Sequence, residues 1–172
     1  KAKSRQNGTE LTCIPYYAWC HRGANEMRVW HPVAPQTLPA SHCWEHDTVE
    51  ACFDGRLPKA SNDHSLPRFT WWDHRGTLEW VRCDFESPRT VSAVEVYWFD
   101  DTGAGSCRVP KSWRLLYKDG DQWRPVQNRG DYGVRLDQFN VVEFDPVNTS
   151  SLRIEAQLQP GFSAGILEGR VR

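Results

Sequence analysis

Between Asn62 and Arg75 the chain reads NDHSLPRFTWWDHR. Two adjacent indoles, Trp71 and Trp72, stand directly before Asp73, His74 and Arg75, and Asn62, Asp63, His64 and Arg68 precede them. These residue types suit recognition of a sugar ring. A flat aromatic side chain covers the ring's C–H face, and carboxylate, imidazole, guanidinium and amide groups pair with its hydroxyls. On an extended chain neighbouring side chains point to opposite faces, so one indole of the doublet enters a core and the other faces outward. We assign Trp72 to the interior and Trp71 to the ligand platform. The alternative buries both indoles as an anchor, with Asp73 holding His74. The ligand site then moves to the Gly-rich loop WFDDTGAGSCRV (Trp98 to Val109), which carries Asp100, Asp101 and Arg108.

Catalysis is poorly served by the same residues. A glycosidase needs two carboxyl groups facing one another across a cleft, about 5 to 10 Å apart. Asp100 with Asp101, and Asp119 with Asp121, are neighbours on single loops and do not face one another. No GxSxG or HExxH run is present. The spacing of His42, Cys43, His46 and Cys52 matches no close CxxC-type zinc pattern, and buried thiols beside surface histidines are the favoured reading.

The elements that must carry these side chains read as strands. VSAVEVYWF (Val91 to Phe99) places Val94, Val96 and Trp98 on one face and Tyr97 and Phe99 on the other. EWVRCDF (Glu79 to Phe85) places Val81, Cys83 and Phe85 together, and WRLLY (Trp113 to Tyr117) groups Trp113, Leu115 and Tyr117. KDGD (Lys118 to Asp121) is a hairpin signal before QWRPV. VVEF (Val141 to Phe144), LRIEAQL (Leu152 to Leu158) and ILEGRV (Ile166 to Val171) alternate again. Short strands divided by Gly, Pro, Asn and Asp predict an all-β chain: an antiparallel β-sandwich of jelly-roll type. The first 35 residues differ. LTCIPYYAWCHRG and EMRVWHP read as two strands joined by His21 to Asn25, and the proline-rich PVAPQTLPA then reads as a linker, which puts a boundary near Pro35.

Composition narrows the partners. The net charge is −1 over 172 residues, which gives no basic surface for nucleic acid. No apolar run approaches the roughly 20 residues of a membrane span. The start, KAKSRQNGTELT, lacks an apolar h-region, so it does not read as a signal peptide but as a cut inside a longer chain. Nine tryptophans against one methionine exceed what a core of this size uses, which predicts one or two exposed indoles. Six cysteines allow 15 pairings and leave the redox compartment undecided. Cys13 and Cys20 lie about 23 Å apart if extended, too far to pair unless the chain bends at Pro15.

From about Ala40 onward the ordered signals ASHC, FDG, EWVRCDF, VEVYW, PKSWRLLYKDGDQWRPV, FNVVEFDPV, LRIEAQL and GILEGRV resemble the discoidin, or coagulation factor type C, superfamily. Its galactose-binding-like fold includes carbohydrate-binding modules of the family 32 kind. IPYYAWCHRGANEMRVWHP (Ile14 to Pro32) resembles the last strands of glycoside hydrolase family 127, the β-L-arabinofuranosidase-like bacterial enzymes. The helical catalytic domain of those enzymes has no counterpart here, so no catalytic residue is carried over.

These resemblances imply that residues 1–35 are trailing strands or a linker of an upstream hydrolase domain. Residues 36–172 are then a module that binds an oligo- or polysaccharide without cleaving it and keeps the attached enzyme on arabinose- or galactose-containing plant glycans. An accessory sandwich that braces the catalytic domain without binding sugar is the alternative. A structural Ca²⁺ is implied near the FDG turn, with Asp54 and Glu168 at the matching positions. A parent enzyme acting on polysaccharide implies a secreted or periplasmic location.

Overall fold

The structure is a computed structural model, and it describes residue 35 and residues 37–172. The strands expected before Pro35, and the Cys13–Cys20 question, lie outside the described residues.

After a 3-10 turn, Val49–Phe53, the described residues form seven strands. They are β1 (Phe69–Thr70), β2 (Leu78–Phe99), β3 (Ser112–Asp119), β4 (Gln122–Pro125), β5 (Asn128–Arg129), β6 (Asn140–Gln157) and β7 (Gly165–Val171). All named pairings are antiparallel, in the order β1-β7-β2-β6-β3-β4, with β5 on β6. The two long strands β2 and β6 run beside each other and serve both layers of a sandwich. In one layer Leu78–Asp84 pairs with Ser151–Gln157, with β3 and β4 beyond. In the other, the end of β2 from Val94 lies between the start of β6 and β7.

The sequence suggested separate strands where β2 and β6 are continuous. The difference has a local cause. Register shifts fall between Asp84 and Arg89 and between Val91 and Ala93, and such irregularities bend and twist a strand. Pro88 and Pro146 lie in these stretches, where a residue without an N–H costs no ladder bond. Each strand thus turns a corner from one layer to the other without ending.

The alternation predicted from sequence places the core. Val81, Cys83 and Phe85 point inward from β2, with Val94, Val96 and Trp98 from its second half. Trp113 and Leu115 join from β3, and Leu152, Ile154 and Ala156 from β6. Trp98 and Trp113 meet edge to face at 5.4 Å, and both indole N–H groups donate to the Gly133 carbonyl, at 3.3 and 2.8 Å. Their polar atoms are therefore satisfied inside an apolar core. The hairpin forms as expected: β3 returns into β4 through Gly120 at φ 58°. Cys43, Cys52, Cys83 and Cys107 are free thiols.

Tyr97, Phe99, Cys107 and Leu167 form a second, smaller apolar cluster with Trp72 and Phe139 packed on it. It gives the outside of one layer a firm apolar base beneath the loops.

β1 is two residues long, yet it determines where the tryptophan doublet sits. Phe69 pairs with Ile166 and Thr70 with Gly165. A Cβ on Gly165 would lie 2.5 Å from the Phe69 carbonyl and 2.7 Å from Thr70 Cγ2, so only glycine permits this approach. Gly165→Ala is expected to cost about 1–3 kcal/mol through overpacking. Trp71→Ala, which empties a fully buried site, is expected to cost about 3–5 kcal/mol. Chemical denaturation measures both. A Trp71→Ala protein as stable as wild type would contradict the burial of that indole.

Candidate functional site

The doublet divides between interior and surface, in the opposite sense to the assignment made from sequence. Trp71 is fully buried. It packs edge-on to Phe69 at 4.9 Å, and its indole N–H donates to the Trp80 carbonyl at 3.3 Å. Its main-chain N–H donates to the Ala164 carbonyl at 3.0 Å, which continues the β1–β7 pairing by one residue. Trp71 therefore faces the core as Phe69 does, two positions earlier. Trp72 is half-buried and lines an open groove of ≈ 200 Å³. The parity of the doublet follows from the register of β1, which the short FT segment does not reveal by pattern.

Trp44, Arg68, Thr70, Phe99, Asp101 and Cys107 complete most of the groove wall. Arg68 sits over the Phe99 ring, 4.9 Å from its centroid. One guanidinium nitrogen lies 3.0 Å from His64 Nδ1, which accepts its N–H, and Nε lies 3.5 Å from Asp47. Burial pushes the Asp47 carboxyl upward, partly offset by the Thr70 hydroxyl, Arg68 and His46. The arginine head is thus held from two sides on an aromatic base. Its position is set before a ligand arrives.

Asp101 enters from the loop between β2 and β3. Its Oδ1 accepts the Cys107 N–H at 2.8 Å and lies 3.5 Å from Arg108. Oδ2 lies 2.0 Å from where a Cβ on Gly105 would be, so the glycine is what lets the loop close over this carboxylate. Asp100, its neighbour, is turned inward. One oxygen accepts from the Thr102 N–H and hydroxyl and the other from the Val109 N–H at 3.1 Å. Asp100 shapes the loop and is not available to a ligand, so of the two aspartates proposed from sequence only Asp101 reaches the groove.

The remaining proposed residues support or flank Trp72. Arg75 covers the Trp72 ring at 4.6 Å. His74 Nδ1 lies 2.6 Å from Glu79, and its ring stacks on His42 at 3.9 Å. His42 Nε2 in turn donates to the Trp72 carbonyl at 2.7 Å. Burial tends to raise the Glu79 carboxyl, but bonds from Ser41, Thr77 and His74 outweigh it and hold Glu79 below its ordinary range. Glu79 is therefore an anion inside the fold that fixes His74 and, through the histidine stack, the turn carrying Trp72. Asp73 is exposed. Asp63 accepts from the Lys59 N–H and from the Ser65 N–H and hydroxyl, which hold its carboxyl at about 2; it braces the loop bearing His64.

Trp44 escaped the sequence reading. It sits in ASHCWEHD, outside any alternating run, where the cysteine and histidines around it read as a buried thiol and surface histidines. His46 meets its ring edge-on at 4.8 Å.

Among the described residues the groove is lined by one carboxylate, Asp101, and not by the opposed pair that glycoside cleavage uses. Cys107 is no nucleophile, because burial first and the Asp101 charge second push its thiol up to about 12. Two indoles, a guanidinium, a carboxylate and the Thr70 and Ser106 hydroxyls around a small concavity are equipped to bind.

Away from the groove, Asp54 and Glu168 lie side by side. Glu168 is buried and its Oε2 has no hydrogen-bond donor. Burial, then the Asp54 charge, raise its carboxyl to about 8, against a smaller lowering by the Gly55 amide and Arg170. Among the described residues no group of three or more His, Cys, Asp or Glu side chains is placed to hold a metal ion.

The fold is that of known sugar-binding modules. A chain from Streptococcus pneumoniae β-galactosidase BgaA superposes with a TM-score of 0.67 at 21% identity, covering 81% of this chain and 90% of its own. The family 32 carbohydrate-binding module of C. perfringens NanJ, in complex with galactose, gives 0.61 at 18% identity, covering 81% and 97%. Chitosan-binding module 1 of a Paenibacillus sp. IK-5 chitosanase/glucanase gives 0.60 at 16% identity, covering 83% and 99%. Residues 2–32 match the glycoside hydrolase family 127 C-terminal domain, an accessory domain. Residues 38–167 match the F5/8 type C domain, a non-catalytic binding module, and the chain belongs to that family.

Proposed function

We propose that the groove between Trp44 and Trp72 binds a sugar residue of an arabinose- or galactose-containing plant glycan and holds an attached glycoside hydrolase on that glycan. The observation that carries this reading is the half-buried pair of indoles sharing a groove with Arg68 and Asp101. An indole covers the C–H face of a ring, while guanidinium and carboxylate meet its hydroxyls with charge-assisted bonds. A sandwich that only braced a catalytic domain would present a flat apolar patch; here the aromatic surface is concave and rimmed with polar groups. The galactose-bound module from NanJ and the family 127 match at residues 2–32 support both the sugar class and the enzyme connection. A contact this small yields some 4–7 kcal/mol, or a Kd of about 10 μM to 1 mM.

Affinity electrophoresis in arabinan and galactan gels tests the site. Wild-type protein is expected to be retarded, with Trp72→Ala and Trp44→Ala running at least about tenfold weaker in apparent affinity, as the loss of one stacking contact implies. Equal retardation of all three would discard the groove.

We also propose that Asp54 and Glu168 hold a structural Ca²⁺. A buried carboxylate oxygen without a donor, facing a second carboxylate, suits a hard cation. The other oxygens would come from main-chain carbonyls nearby and from water. The ion would add to the positive charge that Arg56, 3.6 Å from Asp54, already brings and brace the 3-10 turn against β7.

Without the ion, Glu168 binds its proton more tightly folded than unfolded. That stability is complete below about pH 4.5 and is lost as pH rises through about 8. Thermal unfolding in EDTA should therefore show Tm falling across this range. Added Ca²⁺ should restore it, most strongly at the alkaline end, and Glu168→Gln should abolish both effects. A wild-type Tm at pH 8 that is indifferent to Ca²⁺ would rule the ion out.

A further inference from the structure

We propose that the outer face of the β2–β6–β3–β4 layer is a second binding surface, for an anionic polysaccharide of the uronic-acid class. This surface is separate from the loop-end groove. Trp80, Arg82 and Asp84 alternate with buried Val81, Cys83 and Phe85, and so point outward from β2. Arg153 and Glu155 do the same on β6, Arg114 and Lys118 on β3, and Trp123, the cross-strand partner of Lys118, on β4.

Three observations distinguish this face from an ordinary solvated sheet. The first is its charge: four cations (Arg82, Arg114, Lys118 and Arg153) stand against two carboxylates (Asp84 and Glu155), on a chain whose net charge is −1. The second is the register. Arg82 and Arg153 are direct cross-strand partners, an arrangement of like charges that is destabilising in itself and that an anion between them relieves. Among the described residues each forms its ion pair with the acid two residues along its own strand: Arg82 with Asp84 at 2.8 Å and Arg153 with Glu155 at 3.0 Å. Arg153 Nε is buried without a hydrogen-bond partner. The third is the aromatic setting. The Arg153 guanidinium lies 5.0 Å from the Trp80 ring centroid and 5.7 Å from that of Trp123, so two indoles flank the cation and fix its plane.

A groove of ≈ 130 Å³ opens at the end of the same face, lined by Leu78, Ser112, Arg114, Glu155 and Gln157. Guanidinium groups recognise carboxylates, Trp and Leu offer apolar contact to sugar rings, and Ser and Gln serve hydroxyls. A polymer with a carboxylate on successive rings matches the excess charge and can lie across the strands.

The test is binding of the full chain to immobilised polygalacturonate at about 0.1 M and 1 M NaCl, between which the Debye length falls from about 10 to 3 Å. Wild type is expected to bind at low salt and lose most of its binding at high salt. Arg153→Gln and Trp123→Ala should weaken it about tenfold while leaving retention on neutral galactan unchanged. Trp72→Ala should show the opposite pattern. Should Arg153→Gln disturb the Glu155 network enough to unfold the protein, Lys118→Gln removes one charge and leaves that network intact; it should weaken polygalacturonate binding alone. Absence of wild-type binding at 0.1 M NaCl, or equal binding by wild type, Trp123→Ala and Lys118→Gln, would overturn the proposal.

Discussion

The burial of Trp71 is the constraint on which the candidate site depends. Its indole fills the core beside Phe69 and gives its N–H to the Trp80 carbonyl, and its backbone is tied to Ala164. With that side chain fixed inward, the next residue has to leave the core. Trp72 then lands on the apolar cluster of Tyr97, Phe99, Cys107 and Leu167. An exposed tryptophan on a mobile loop loses rotational freedom on binding; one clamped between an apolar base and Arg75 has already given it up.

Three separate segments meet around that indole. The stretch before the 3-10 turn brings Trp44, β1 and the residue just before it bring Thr70 and Arg68, and the loop after β2 brings Asp101. None is near the others in sequence, and each is held by interactions that do not involve the ligand. Arg68 is held by His64 and Asp47, Asp101 by the Cys107 amide and the space at Gly105, and the Trp72 turn by the chain from Glu79 through His74 to His42. The charges are largely paired within the protein, so a neutral sugar meets oriented donors and acceptors instead of a strong field. The outer face of the β2–β6–β3–β4 layer is different, because its cations outnumber its carboxylates.

Much of the fold was legible in the sequence because strand alternation is a direct consequence of backbone geometry. The inward sets Val81-Cys83-Phe85 and Val94-Val96-Trp98 were readable, as was the hairpin at Lys118–Asp121. What was hidden was how strands continue. Pro88 and Pro146 look like terminators in one dimension and are corners in three. The site was partly legible. Arg68, Trp72 and Asp101 were among the candidates, because sugar chemistry restricts the residue types. The parity of the Trp doublet was not, since it is set by the pairing of β1 with distant β7. Asp100 and Asp101 have identical side chains, and only the loop's hydrogen bonds separate their roles. Trp44 carried no pattern at all, and only the tertiary fold brings it to the groove that Trp72 lines.

The most direct measurement of the central claim follows the indole N–H resonances of the nine tryptophans in ¹⁵N–¹H spectra during titration with a galactose- or arabinose-containing oligosaccharide. The signals of Trp44 and Trp72 are expected to shift together and saturate at one affinity, while those of Trp71, Trp98 and Trp113 stay in place. Saturable binding that leaves Trp44 and Trp72 unmoved would contradict the account.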